Sequence, residues 1–331
     1  MNHRLNLTPS ISCIVPAFNE AASLERVLAD IFKVLSTLSN NLEIVVVDDG
    51  SEDDSNKILM GLCKQYEHLV YLQLSRNFGK ESAITAGIDA ARGDVVFMLD
   101  ADGQHPVDLL PAMLQRWRDG SDVVYAVRRS REDQTRIHSG LTSLFYKFIN
   151  FGNRVKVPPH AGDFRLMDRK VVLALRSLPE RSRFMKGMYA WVGFPSNAIE
   201  YDPLPRVQGK SSFGLLGSLS LAATGVLAFS VMPLRALSIA GLALASVALG
   251  YGAWVTVEYF ITGISVPGYA TIVVGIMFFS GVQLLSIGIL AEYVGRIYEE
   301  VKQRPSYLIR ERHGSGLPID AGDLSNSPTS S

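Results

Sequence analysis

Short apolar runs alternate with amphipathic segments from residue 11 to residue 127. Five runs predict buried strands, at Ile11–Val15, Leu42–Val47, Val70–Leu74, Val95–Leu99 and Val123–Val127. The segments between them have the spacing of helices with one apolar face, at Ala21–Leu38, Asp54–Tyr66, Glu81–Ala90 and Asp108–Arg118. Continuous apolar runs that alternate with helices are typical of a parallel sheet covered on both faces. We therefore predict an α/β, Rossmann-like fold with a mostly parallel sheet.

Polar residues follow each predicted strand directly. The five clusters are Pro16–Glu20, Asp48–Ser51, Ser75–Lys80, Asp100–Asp102 and Arg128–Arg131. Ligands of open α/β sheets collect at the carboxyl ends of the strands, so these clusters predict one binding site. The first strand is not followed by G-x-G-x-x-G, and Phe78–Glu81 resembles a phosphate-binding P-loop only superficially. Carboxylates and arginines at one edge favour a nucleotide diphosphate held through a divalent cation.

The segment from Leu99 to Gln104 carries the strongest chemical signal. In an extended segment, Asp100, Asp102 and Gln104 lie on one face because they are two residues apart. Their oxygen atoms are hard donors that suit Mg²⁺ or Mn²⁺ still holding the phosphates of a ligand. The alternative is an ordinary polar turn at the end of a strand.

The second half of the chain contains three stretches without a charged residue, at Ser211–Leu234, Ala236–Val257 and Tyr259–Ala291. A membrane span needs about 20 mostly apolar residues. Two spans are therefore predicted, at about 236–257 and 268–291. The first stretch is diluted by serines and glycines, and it predicts interfacial helices, with a core helix under the α/β domain as the alternative. The mean hydropathy of the whole chain, +0.17, agrees with a membrane-bound protein.

Basic residues flank the two predicted spans on their outer sides. Arg206, Lys210 and Arg235 precede the first span, and the loop between the spans has no Lys or Arg. The residues after the second span include Arg296, Lys302, Arg304, Arg310 and Arg312. The positive-inside rule places both ends in the cytoplasm, which requires an even number of spans. We expect a multi-pass protein of the inner (plasma) membrane.

These patterns predict four regions. An α/β domain would occupy residues 1–205 and interfacial helices residues 206–232. Two transmembrane helices would occupy residues 233–294, and a basic segment with a disordered tail from about Gly314 would occupy residues 295–331. The N-terminus lacks the apolar region of a cleaved signal, so the α/β domain is expected in the cytoplasm. The charge is balanced, with 32 basic and 32 acidic residues, which gives no reason to expect nucleic acid as a partner.

Several segments resemble a known enzyme family. Those at Val15–Glu20, Val47–Asp53, Arg76–Ala83 and Leu99–Pro106 are similar to family-2 glycosyltransferases with a GT-A fold. Further segments narrow the resemblance to polyprenyl-phosphate glycosyltransferases of the dolichol-phosphate mannose synthase and bactoprenol glucosyltransferase type; these lie at Arg128–Asp133, Gly162–Val171, Pro179–Gly187 and Arg206–Phe213. The resemblance spans about residues 10–310, with the motifs in the family's order.

The resemblance implies roles for particular residues. Those implied to bind the nucleotide sugar are Pro16, Phe18, Glu20, Asp48, Asp49, Asp100 and Ala101. Asp102 and Gln104 match the metal ligands, and Asp163 matches a catalytic aspartate. For Asp48 and Asp49 the alternative is helix capping, and for Asp163 it is a structural pair with Arg165 or Arg181. Candidate phosphate-binding residues are Arg128, Arg131, Arg206 and Lys210.

The implied reaction is an inverting sugar transfer. The donor would be a nucleotide sugar, with UDP-glucose favoured by the resemblance, and the acceptor a polyprenyl (undecaprenyl) phosphate in the lipid bilayer. One alternative is a processive polysaccharide synthase, which two spans and the lack of a Q-x-x-R-W segment disfavour. The other is a catalytically inactive membrane scaffold. Whether the chain forms a homo-oligomer stays open.

Overall fold

The computed structural model describes residues 4, 8–129, 161–181, 183–205, 232–262 and 268–318. Eight strands in this part form one sheet: β1 (Ile11–Ala17), β2 (Leu42–Asp48), β3 (Leu69–Leu74), β4 (Val95–Met98), β5 (Val123–Arg128), β6 (Ala161–Asp168), β7 (Ser196–Tyr201) and β8 (Ile309–His313). The helices are α1 (Ala21–Leu38), α2 (Ser55–Gln65), α3 (Lys80–Ala90), α4 (Leu110–Arg118), α5 (Arg169–Ser177), α6 (Met185–Trp191), α7 (Met232–Thr262) and α8 (Tyr269–Lys302). The five predicted strands are confirmed as β1 to β5, within two residues at each end.

The sheet is mixed but mostly parallel, in the order β7-β5-β6-β4-β1-β2-β3-β8. β4, β1, β2 and β3 are parallel neighbours, and β5 and β7 form a second parallel pair. β6 runs antiparallel to both β4 and β5, and β8 runs antiparallel to β3. The carboxyl ends of β1, β2 and β4 therefore meet at one edge beside the amino-terminal end of β6.

Helices cover both faces of the sheet. Successive side chains of a strand point to opposite faces, so neighbouring residues enter different cores. Cys13 of β1 belongs to the core under α1, α2 and α4, whereas the adjacent Ile14 packs with residues of α3, α5 and α6. This double burial explains why the central strands read as unbroken apolar runs.

The pattern of apolar runs did not predict the strands β6, β7 and β8. β6 contains Asp163, Arg165 and Asp168, so its sequence lacks the continuous apolar run of a buried strand. β7 lies at the edge of the sheet and is mostly exposed. β8 follows the two long apolar helices in the chain and still returns to pair with β3.

Residues that follow β8 also belong to the catalytic fold. The side chain of Leu317 is buried, and its backbone N–H donates to Glu43 Oε2 at 2.8 Å. Arg92 donates to the carbonyl oxygens of Ser315 and Leu317. The prediction of a disordered tail from Gly314 is therefore wrong for residues 314–318. The sequence pattern failed there because Leu317 is a single apolar residue whose partners lie more than 200 residues earlier.

α7 and α8 are long and apolar enough to cross a membrane. They contain 31 and 34 residues, and the apolar segments within them are Leu237–Val255 and Gly275–Lys302. Their large apolar side chains are exposed; Phe260, for example, is 81% exposed. Such a surface is unfavourable in water, so both helices indicate membrane association. The interfacial helices predicted at 206–232 lie almost wholly outside the described residues.

Candidate active site

Loops at the carboxyl ends of β1 and β2 form one side of the candidate site and are hydrogen-bonded to each other. The backbone N–H of Asn19 donates to Ser51 Oγ at 2.9 Å, and that of Glu20 donates to Ser55 Oγ at 3.2 Å. Asn19 has a φ of 56°, a left-handed value that asparagine tolerates well. Of the predicted nucleotide-binding residues here, Pro16 is buried within β1, whereas Phe18 exposes 39% of its surface. Phe18 therefore presents an aromatic ring at this edge.

Asp48 and Asp49 brace the neighbouring loops. Asp48 is fully buried and accepts hydrogen bonds from the backbone N–H of Ser51 at 2.9 Å and the hydroxyl of Tyr71 at 3.2 Å. Asp49 accepts the N–H groups of Phe78 at 2.7 Å and Gly79 at 2.9 Å. Burial raises the pKa of Asp49, and these two N–H groups oppose that effect.

Neither Asp48 nor Asp49 caps α2, so the helix-capping alternative for these two aspartates is wrong. Asp54 occupies the position before α2, and the first N–H of that helix donates to Asp53 Oδ1 at 3.0 Å.

Lys80 joins the two carboxylates at the centre of the site. It is the first residue of α3, and its Nζ lies 2.7 Å from Asp100 Oδ1 and 2.9 Å from Asp163 Oδ2. Asp100 follows β4, and Asp163 belongs to the neighbouring antiparallel strand β6. The ammonium group therefore fixes two carboxylates that come from different parts of the chain.

The electrostatic environment keeps Asp163 ionised. Burial acts to raise the pKa of Asp163, but the positive charges of Lys80, Lys186 and Arg165 outweigh it and hold the pKa below its usual range. Burial likewise acts to lower the pKa of Lys80, and the charges of Asp163 and Asp100 raise it. Both groups stay charged over the physiological pH range.

The structure identifies Lys80, rather than Arg165 or Arg181, as the partner of Asp163. In the described part of the chain, neither arginine forms an ion pair with Asp163. Arg165 donates to the carbonyl oxygen of Gly162 and lies over the ring of Tyr189. Sequence reasoning placed Lys80 in the Ser75–Lys80 cluster and the Arg76–Ala83 motif but gave it no individual role.

The Asp-x-Asp-x-Gln segment lies beside this pair. Gln104 Oε1 accepts from Arg128 Nη2 at 3.0 Å, and Arg128 Nε donates to the hydroxyl of Tyr201 at 3.3 Å. Asp102 Oδ1 accepts the backbone N–H of Gln104 at 3.0 Å. Ala101, between the two aspartates, is buried in the core. Arg128 is therefore close to the predicted metal ligands, whereas Arg131, Arg206 and Lys210 lie outside the described residues.

His105 stabilises the loop that follows β4. Its Nδ1 accepts the backbone N–H of Asp100 at 3.1 Å, and its ring stacks on Phe164 with centroids 4.7 Å apart. Phe164 is the neighbour of Asp163 in β6, so this contact ties the two halves of the site together. We assign His105 a structural role.

The oxygen donors fit a divalent cation that shares its coordination with a ligand. Asp102 and Gln104 together offer a carboxylate and an amide oxygen, which suit Mg²⁺ or Mn²⁺. Among the residues that the structure describes, no three His, Cys, Asp or Glu side chains are grouped as a complete metal site. A cation here would need oxygens from a bound diphosphate or from water.

Comparison with known proteins defines the class. Residues 12–175 match the family described as Glycosyl transferase family 2. The chain is 42% identical over 315 residues to a Synechocystis sp. protein described as an uncharacterized glycosyltransferase, covering 95% of this chain and 99% of that protein. It is 40% identical over 302 residues to the bactoprenol glucosyl transferase of Shigella phage SfX, covering 91% of this chain and 99% of that enzyme.

A similarity to solved structures was also found. Mannosyl-3-phosphoglycerate synthase from Rubrobacter xylanophilus is 19% identical, with a TM-score of 0.46, covering 70% of this chain and 75% of that chain. The sequence relationships, not this distant likeness, carry the assignment. The protein is a glycosyltransferase with an α/β, GT-A fold. It belongs to glycosyl transferase family 2.

Proposed function

We propose that this enzyme transfers a sugar from a nucleotide sugar to a polyprenyl phosphate at the cytoplasmic face of the inner membrane. The observation that carries the proposal is the Asp100–Lys80–Asp163 cluster at the carboxyl edge of the sheet, in a chain that also has two exposed apolar helices. The names of relatives such as the bactoprenol glucosyl transferases of Shigella phages support this class of acceptor. UDP-glucose is the proposed donor.

The proposed reaction is a single displacement at the anomeric carbon. An oxygen of the acceptor phosphate forms a bond to that carbon while the bond to the donor's diphosphate breaks, and the nucleoside diphosphate leaves with the electron pair. The configuration is inverted. The acceptor phosphate is already anionic near pH 7, so Asp163 orients the acceptor and accepts any remaining proton rather than generating the nucleophile.

The other site residues hold the donor in this proposal. Phe18 and Glu20 contact the base and ribose, together with the backbone at Pro16 and the loop that Asp48 and Asp49 hold. Asp100 faces the ribose or sugar, beside the backbone of Ala101. Asp102 and Gln104 would hold Mg²⁺ or Mn²⁺, which would supply positive charge for the departing diphosphate. The phosphates would also be bound by Arg128, Arg131, Arg206 and Lys210.

The return of the chain to the sheet supports an even number of membrane crossings. β7 ends at Tyr201 before the apolar segments, and β8 begins at Ile309 after them. Both strands belong to one sheet, so both lie on one side of the membrane. Two spans, formed by α7 and α8, satisfy this condition and agree with the distribution of Lys and Arg.

A donor panel tests the proposal. Purified enzyme is incubated with undecaprenyl phosphate and each of several labelled nucleotide sugars, with divalent metal or with chelator. We expect one lipid-linked product that forms only with metal. Chains of several sugars would instead indicate a processive synthase. Absence of any product would support an inactive scaffold, and full activity in chelator would contradict the metal assignment.

A further inference from the structure

One lysine near Asp163 has no ion-pair partner in the described ranges. Lys186 lies on the short helix α6, and its side chain is half-buried. Its positive charge helps to lower the pKa of Asp163 and opposes the effect of burial, which raises the pKa of Glu81. No described carboxylate lies within ion-pair distance of its ammonium group, in contrast to Lys80, which contacts two.

Two residues that precede Lys186, Arg181 and Met185, form backbone hydrogen bonds to other elements. The backbone N–H of Met185 donates to Glu81 Oε2 at 3.0 Å, which ties the start of α6 to the first turn of α3. The N–H of Arg181 donates to both carboxylate oxygens of Glu300, at 3.0 and 3.1 Å. Glu300 belongs to the last turn of α8. The position of Lys186 is therefore set jointly by the catalytic domain and by an apolar helix.

The phosphate of an anionic acceptor needs a positively charged side chain beside Asp163. Its phosphate must approach Asp163, and Asp100 and Glu81 add further carboxylates nearby. Lys80 already contacts Asp163 and Asp100, and Arg165 is only 3% exposed beneath Tyr189. Among the described cations around Asp163, Lys186 has its charge available for a ligand.

We propose that Lys186 binds the phosphate group of the acceptor and holds it next to Asp163. This inference rests on the proposed function and assigns one residue of its acceptor site. A lysine suits the task because its compact ammonium group attracts a phosphate without demanding a fixed orientation. The diphosphate of the donor is the other phosphate in the reaction. We assign Lys186 to the acceptor because its segment is bonded to the end of α8, the helix that would lie in the bilayer with the acceptor.

The test separates acceptor from donor binding. Lys186→Met, Lys186→Arg and the surface control Lys64→Met are compared with the full-length wild type in detergent. Initial rates are measured against undecaprenyl phosphate concentration, and UDP and UDP-glucose binding is measured by calorimetry. Loss of one charge-assisted contact should raise the KM for undecaprenyl phosphate by about 10- to 100-fold in Lys186→Met. Lys186→Arg should recover part of this loss, and the control should match the wild type.

Each outcome has a definite meaning. A raised acceptor KM with unchanged nucleotide affinity supports the proposal. An unchanged KM overturns it while leaving the proposed function intact, and an equal loss of UDP affinity assigns Lys186 to the donor instead. A fall in kcat and thermal stability at constant KM would reduce it to a structural residue. If the wild type makes no lipid-linked sugar while still binding UDP-glucose, the proposed function and this inference both fail.

Discussion

At the scale of single residues, Lys80 decides the arrangement of the site. Without its ammonium group, Asp100 and Asp163 would be two nearby carboxylates without the cation that joins them. Burial would then favour protonation of Asp163, and mutual repulsion would separate the two groups. In the proposed reaction, the orientation of the sugar and that of the acceptor would then be lost together.

Lys80→Met should therefore lower turnover by about 10²-fold. Lys80→Arg, which keeps the charge but changes its shape, should retain more activity. The measurement is single-turnover transfer, with Lys57→Met as the control because Lys57 lies exposed on α2 and pairs with the exposed Asp54. Turnover of Lys80→Met within twofold of wild type would show that the two carboxylates are held apart or neutralised by other groups.

Glu81 makes the stability of the domain depend on pH. The pKa of Glu81 is raised to about 7 from an ordinary 4.5. The main cause is burial of the carboxyl group, and the second is the negative charge of Asp163. The unfolded chain loses this proton near pH 4.5 and the folded chain only near pH 7. Ionisation of Glu81 thus favours the unfolded state increasingly as the pH rises between these values.

Glu81→Gln removes this penalty and keeps an oxygen for the N–H of Met185. The stability of the variant relative to wild type should rise from pH 4.5 to pH 7 and stay constant above it. Thermal unfolding in detergent at a series of pH values measures this difference. A difference that does not change with pH would mean that Glu81 ionises normally in the folded protein.

The site contacts that could be predicted are those between residues close together in the sequence. Asp100, Asp102 and Gln104 are close in the chain, so they lie on one loop. Residues 101–103 form a turn with Gly103 at a φ of 73°, however, so the extended segment that the two-residue spacing predicted is wrong. Lys80 and Asp163 are 83 positions apart, and their contact exists only because β6 inserts antiparallel between β4 and β5. No local pattern contains that information. The hydrogen bond between Met185 and Glu81 is another contact between residues far apart in the chain.

At the scale of elements, the same limit applies to strands. β1 to β4 are buried along their whole length and β5 over its first half, and all five were predicted from hydrophobicity alone. β6 carries three charged residues whose partners lie elsewhere in the chain: Asp163 contacts Lys80, Arg165 lies over Tyr189, and Asp168 accepts from Trp117. These charges interrupt the apolar run by which a buried strand is predicted. β8 joins the sheet only through its pairing with β3, on the far side of two membrane-length helices.

The residues after β8 should contribute to stability. Leu317 is buried, and its N–H is one of the groups that satisfy the fully buried Glu43, together with Ser12 and the N–H of Arg92. A chain that stops after His313 should lose about 2 kcal/mol of unfolding free energy. A chain that stops after Pro318 keeps these contacts and is the matched control. Equal thermal midpoints for the two truncations would show that Leu317 adds nothing.

At the scale of the whole molecule, the account requires a hairpin in the membrane. α7 and α8 lie between two strands of one sheet, and the loop between them contains no Lys or Arg. A reporter fused after Ser331 should therefore lie in the cytoplasm, and one inserted near Gly263 should lie outside. Protease protection or a reporter enzyme active on one side only measures this. Both reporters on the same side would mean that the helices do not span the membrane.

The most direct measurement is transfer by the intact enzyme in lipid nanodiscs that contain undecaprenyl phosphate. UDP-[¹⁴C]glucose is added to wild type and to Asp163→Asn, and label is counted in the organic phase while donor affinity is measured by calorimetry. We predict a lipid-linked product from wild type, a rate about 10²- to 10⁴-fold lower from the variant, and equal donor affinity for both. Equal transfer by the two proteins, or no organic-phase label with any nucleotide sugar tested, would contradict the account.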